Sequence, residues 1–315
     1  MNSPRRVLFA ALLMGMLLSC QPESSAPPVT TPDPNPAVEQ KHLANVVDVI
    51  AKDFTFQVED ELLSGWTEFH FKNEGHATHF FLLNLLPEGV SFETYRDEGS
   101  KIFDQVWDAL RTGEVNKEEA GAMLGELLPE WFFAVKQMGG TGFIAPGETA
   151  RTTFQLVPGR YAMECYIKTE QGIFHSSIGM IEPVTVVEES SAMSPPEADM
   201  EMTLTNFSYA ITGTPVSGEN TIAVHFAEHP EFGLGNDVQL ARLDEDGDLQ
   251  ELIDWMDWMN IGGLQTPAPA RFLGGTQEMP VGNTAYFTVD LEPGHYAWIA
   301  ESAAARGMVQ SFVIE

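Results

Sequence analysis

Along residues 66 to 73, "WTEFHFKN", apolar and polar side chains take turns, which sets Phe69 and Phe71 on one face of a strand and His70 on the other. Similar short runs, bounded by Gly, Pro and Asn turns, recur to the C-terminus and predict an all-β chain built as sandwiches of two sheets. Two stretches break this period. In residues 93–137 the apolar positions Phe103, Val106, Trp107 and Leu110 recur at three and four, and "NKEEAGAMLGELL" sets Asn116 three before Glu119, a capping box. Two helices are predicted there, lying against the sandwich. A shorter helical stretch, "LQELIDWMDWM" at residues 249–259, gathers Trp255, Met256, Trp258 and Met259, which read as core or as a partner surface.

The whole plan occurs twice. "FHFKNEGHATHFFLLNL" answers to "VHFAEHPEFGLGNDVQLARL", "MGGTGFIAPGETARTTFQLVPGRYAM" to "LGGTQEMPVGNTAYFTVDLEPGHYAW", and "SSIGMIEPVTV" to "AARGMVQSFVI", in the same order. Two similar domains are therefore expected, at residues 46–187 and 200–315, joined by the polar, Pro-containing linker 188–199.

The N-terminus follows a different logic. "MNSPRR" is a basic start, "VLFAALLMGMLL" is too short to span a membrane comfortably, and "LLSC" follows, so residues 1–19 read as an export signal. The pattern resembles the bacterial lipobox, which implies that Cys20 is acylated and inserted in membrane lipid; an ordinary signal peptide is the other reading. Residues 20–45 are rich in Pro, Ser and Thr and read as an extended tether. The expected location is the cell envelope, on the periplasmic or cell-surface face, with the outer membrane as the anchor in a Gram-negative cell.

The chain of 315 residues carries a formal charge of −30, and loss of Arg5 and Arg6 with the signal leaves 14 basic against 46 acidic residues, or −32. Nucleic acid and anionic lipid surfaces are repelled by such a field. Solubility or a salty medium accounts for it, or steering toward a cationic protein.

With Cys20 committed to lipid, Cys165 is the sole remaining thiol in an oxidising compartment and has no intramolecular partner. It is either buried and inert or bound to something. Downstream, within residues 158–186, come His175, Met180 and a closing strand, so thiolate, imidazole and thioether follow one another. Soft sulfur with imidazoles suits copper, and Cys with two His and a weak axial Met is the blue-copper arrangement. "FKNEGHATHF", residues 71–80, offers the missing imidazole, as His76 or His79.

These stretches resemble the "F-x-N" strand end with its following His, and the C-terminal Cys…His…Met loop, of plastocyanin- and azurin-like cupredoxins. The resemblance covers most of residues 46–315 and implies two tandem Greek-key β-sandwiches with one type 1-like copper in the first, held by His79, Cys165, His175 and Met180. His76 stays open as a group behind the ligands, an alternative ligand or a solvent-exposed side chain. One departure is the nine residues between Cys165 and His175, where small cupredoxins have two to four. In the second copy Asp237 stands opposite His79, Ala300 opposite Cys165 and Ala303 opposite His175, leaving Met308 alone. His225, His229 and His295 are expected at the surface.

No glycine-rich phosphate loop, G-x-S-x-G elbow or H-E-x-x-H occurs, nor the H-x-H and H-C-H pairs of multicopper enzymes, so catalysis is not expected. The resemblance implies one-electron transfer, with His175, if exposed, as the exit, and a cationic redox protein such as a c-type cytochrome as partner. The alternatives are a copper carrier, or a metal-free lipoprotein that docks other molecules.

Overall fold

The computed structural model describes residues 45–230, 236–244, 247–301 and 303–315. The signal, Cys20 and the tether lie outside the described residues. Among the described residues eight strands fall on either side of the linker: β1 (Val46–Lys52), β2 (Thr55–Gln57), β3 (Glu61–Asn73), β4 (His79–Leu85), β5 (Lys136–Ile144), β6 (Thr149–Leu156), β7 (Gly159–Glu164) and β8 (Ile181–Ser190), then β9 (Met200–Thr205), β10 (Ser208–Thr212), β11 (Gly218–Phe226), β12 (Val238–Leu243), β13 (Arg271–Thr276), β14 (Thr284–Leu291), β15 (Gly294–Ile299) and β16 (Val309–Ile314). β8 runs through Ser190, so the irregular linker starts later than its composition suggested.

The pairings repeat as the sequence does. β1 lies parallel to β3 as β9 does to β11, β3 pairs with β6 as β11 with β14, and β4 joins β5 and β7 as β12 joins β13 and β15. The sheets do not end at the linker. β6 pairs with β14 and β5 with β13, so both layers of the sandwich run continuously through the two halves. Backbones approach too closely at this seam for a side chain: a Cβ on Gly142, just after the first "GGT", would lie 2.6 Å from the carbonyl carbon of Gly274, which opens the second, and within the second half one on Gly275 would meet the Val238 carbonyl oxygen. β3 crosses between layers, pairing with β8 over Glu61–Ser64 and with β6 from Gly65 on, where Gly65 takes a φ of 88°.

Between the layers Phe69 and Phe71 are buried and meet Phe81 at ring separations of 5.2 and 5.3 Å, with Phe154 stacked on Phe69 at 5.0 Å. Each such ring contributes roughly 1.5–3 kcal/mol by leaving water. β4 is buried almost throughout, on both faces. Its outer face is covered: Phe80 packs on Phe143 at 4.8 Å, and Phe143 and Phe272 on Trp255 at 6.1 and 5.4 Å.

The helical insertions are present. A helical turn, Phe92–Thr94, and a π-helical stretch, Tyr95–Ser100, lead into α1 (Lys101–Arg111), followed by α2 (Lys117–Leu127) and a 3₁₀ turn (Glu130–Ala134). Val106, Trp107 and Leu110 of α1 are buried as their spacing predicts, and Asn116 and Glu119 make both bonds of the capping box. The shorter insertion forms α3 (Leu249–Trp255), capped by Asp248, and its Trp255, Met256 and Trp258 are core residues. The all-β expectation with two helical insertions holds.

Candidate metal centre

Three elements bring the donors together. Asn73, at the end of β3, donates from its amide to the Ala77 carbonyl at 2.8 Å and the Ile144 carbonyl at 3.0 Å, and accepts from the Gly75 N–H at 2.9 Å. That Asx turn shapes "NEGHATH" and delivers His79 as the first residue of β4. Cys165 directly follows β7, and its N–H donates to the Met180 carbonyl at 3.1 Å. Met180 N–H donates to the His175 carbonyl at 2.9 Å, so the loop closes beside the thiol. Gly179, at φ 123°, makes the bend before Met180, in a region β-carbons avoid.

The result is a compact donor cluster. Nδ1 of His79 lies 3.8 Å and Nδ1 of His175 3.7 Å from the Cys165 sulfur, and one donor atom from each of the three residues lies within 4.8 Å of the others. His79, Cys165, His175 and Met180 are all 0% exposed. Met180 belongs to the same core as Cys165, tied to it by the backbone bonds just described.

Burial governs the protonation states. It pushes the Cys165 thiol up to about 12, against the pull of the Phe80 and Ile167 amides. His175 is pushed down to about 3 by burial, with His79 acting in the same direction, and His79 is also lowered by burial, which outweighs the neighbouring Asp53 carboxylate. Two neutral imidazoles and a protonated thiol thus face one another. Nε2 of His175 is buried without a hydrogen-bond partner. A soft or borderline cation fits this set, since it would take the lone pairs of both Nδ1 atoms and replace the thiol proton.

Two histidines whose setting the sequence left open are placed as follows. His175 is no surface edge: the Phe54 ring covers it at 4.5 Å. His76 does not join the cluster, because its side chain is 97% exposed and its Nδ1 lies 2.8 Å from Asp53 Oδ2. In the second half His225 and His295 are exposed, but His229 is not a free surface residue: its Nε2 donates to the Met279 carbonyl at 2.7 Å and its Nδ1 accepts from Asn236 N–H at 3.0 Å.

The nine residues between Cys165 and His175 are ordered by the insertions. Trp107 of α1 donates to the Gly172 carbonyl at 2.7 Å, and Gln265 to the Glu170 carbonyl at 2.6 Å. Lys168 is buried beneath them, donating to the Trp258 carbonyl at 2.7 Å with its ammonium 3.4 Å from the centre of the Trp107 ring. Burial lowers its pKa to about 7, while Asp257 and Glu301 pull it upward. Asp53, Phe54, Lys168 and Trp107 all escaped the sequence reading as parts of the site. Only Trp107 carried a signal, as a buried position of the helical period.

No protein-family model matches the chain, and no curated protein matches it. Solved structures similar to it include a dithionite-reduced auracyanin from Roseiflexus castenholzii, at 17% identity over 46% of this chain and 98% of that one, with a TM-score of 0.27. Auracyanin A of Chloroflexus aurantiacus, described as a "blue" copper protein, is 16% identical over 45% and 98%, with a TM-score of 0.27. The McoA multicopper oxidase of Aquifex aeolicus is 10% identical over 89% and 69%, also at 0.27. At these scores the functional reading rests on the donor geometry instead.

Proposed function

We propose that His79, Cys165 and His175, with Met180 as a weak fourth ligand, hold one type 1-like copper ion and that the chain carries single electrons. The observation that supports this is the meeting of two Nδ1 atoms and the sole described thiol in one buried cluster. Copper in such a set cycles between its +1 and +2 states. The chain's own contribution is to keep both imidazoles neutral, to exclude water and to hold the donors close together beforehand, so that little has to move when the charge changes.

The test is the absorption and EPR spectrum after adding Cu(II). An intense thiolate-to-copper band, reversible on reduction, is expected; preferential Zn(II) uptake without that band would sink the reading. Tight Cu(I) binding without reversible Cu(II) would favour a carrier.

The surrounding expectations belong to the same proposal. The lipobox and the Pro-rich stretch support attachment through Cys20 at the cell envelope, and no helix among the described residues is long and apolar enough to cross a membrane. The charge of −30 supports a cationic redox protein, such as a c-type cytochrome, as partner. The division into domains at residues 188–199 is supported by the sequence repeat, and a role in transfer rather than catalysis by the lack of H-x-H and H-C-H pairs in the sequence.

A further inference from the structure

The turn between β1 and β2 reaches over the donor cluster from far away in sequence. Asp53 places Oδ1 2.8 Å from Nε2 of His79, while its Oδ2 lies 2.8 Å from Nδ1 of His76 and accepts the His76 backbone N–H at 2.8 Å. The next residue, Phe54, covers His175. Both imidazoles therefore meet the same turn. Gly75 permits the approach, since a Cβ there would lie 2.7 Å from Nε2 of His79 and would also collide with Asp53 Oδ1.

An ionised carboxylate can only accept hydrogen bonds. The nitrogen of His79 that faces it must carry the proton, which leaves the lone pair on Nδ1, the atom turned toward the Cys165 sulfur. Without that acceptor a neutral imidazole divides its proton between its two nitrogens, and the form with Nδ1–H has no lone pair for a metal.

We propose that Asp53 is the positioning residue of the centre, holding His79 in the tautomer that presents Nδ1 to the thiol, and that His76 latches Asp53 from the solvent side. This deepens the copper reading, on which its metal measurements rest; the tautomer itself belongs to the metal-free protein. The role differs from that of a residue that merely ties down the β3–β4 turn, because it depends on an acceptor oxygen at one place.

Nitrogen NMR of the metal-free protein reads the His79 tautomer, and competition with a Cu(I) chelator reads affinity. The Nε2–H form alone is expected in the wild type, whereas Asp53→Asn, whose amide can also turn a donor toward the ring, should populate both tautomers. Asp53→Ala should populate both tautomers and weaken copper binding by roughly 10- to 100-fold, the usual cost of losing the partner behind a ligating His. Gly75→Ala, which forces the pair apart from the other side, should mix the tautomers as well and serves if Asp53→Ala folds poorly. His76→Ala should leave the tautomer unchanged and cost less than about 10-fold. A single Nε2–H tautomer retained in both Asp53→Ala and Gly75→Ala overturns the proposal. If the wild type takes up no copper, the copper reading fails by itself and the tautomer measurements still decide the role of Asp53.

Discussion

The two ends of the sandwich share a backbone and differ in chemistry. In the first half Cys165 N–H donates to the Met180 carbonyl at 3.1 Å and Met180 N–H to the His175 carbonyl at 2.9 Å; in the second, Ala300 N–H donates to the Met308 carbonyl at 3.1 Å and Met308 N–H to the Ala303 carbonyl at 3.2 Å. Even the tyrosine bonds recur, Tyr161 to the Val157 carbonyl at 2.7 Å and Tyr296 to the Glu292 carbonyl at 2.8 Å. Yet one frame encloses a thiol and two imidazoles, and the other two alanines and an acid. The closed loop is thus a property of the strand plan, and the donor set is a separate choice of side chains mounted on it.

The acids at the two ends are opposites. Asp53 is held ionised by two histidines, whereas Asp237 is buried, and burial raises it to about 7 against the pull of the Gln239 amide and the Glu301 N–H. Glu301, likewise raised by burial and by the charge of Asp237, accepts from the Tyr166 hydroxyl at 2.9 Å and so ties the second half to the residue after Cys165.

The sharpest break of this comparison is Cys165→Ser. It should abolish the copper–thiolate band, since a hydroxyl is a hard, weakly acidic ligand, while Ala300→Ser in the matching position should leave the spectrum and a stoichiometry of one copper per chain unchanged. A band surviving Cys165→Ser would move the site elsewhere.

The next effect is on stability against pH. A carboxyl whose folded pKa lies above its unfolded value binds protons more tightly when folded, so Asp237 stabilises fully below about pH 4 and its contribution is lost as pH rises through about 7. Asp53 acts in the reverse sense: its contribution is present above about pH 4 and is lost as pH falls through about 2. Denaturant unfolding from pH 4 to 8 should therefore separate wild type from Asp237→Asn: the buried histidines add stability with rising pH in both proteins, and Asp237 subtracts on the order of a few kcal/mol in the wild type alone. Equal slopes in both proteins would mean that Asp237 titrates normally.

Smaller still, Gly142→Ala should cost about 1–3 kcal/mol by forcing the seam strands apart, read as a lower denaturation midpoint. A neutral result would show that the halves do not depend on close backbone approach there. The smallest effect separates the two methionines. Met180→Leu should raise the copper reduction potential while costing less than about 1.5 kcal/mol of stability, and Met308→Leu should leave the potential unchanged. Equal potentials in Met180→Leu and wild type would remove Met180 from the ligand set.

Much of this protein is written locally. The alternation around Phe69 and Phe71, the three-and-four spacing of Val106, Trp107 and Leu110 and the Asn116 capping box each act over a few residues, so period and chemistry suffice to place them. The repeat likewise aligns Cys165 with Ala300 and His175 with Ala303 from the sequence alone, because Gly turns and strand lengths fix where a loop must close. The resemblance pointed to His79 but left His76 open, and the Asx turn of Asn73 places them, sending one imidazole inward and leaving the other in water. The continuity of both sheets through β6–β14 and β5–β13, the burial of His175 under Phe54, and the carboxylate of Asp53 behind His79 join residues far apart in the chain. No periodicity spans such separations. Only packing decides them, since each depends on which surfaces meet once the strands have formed.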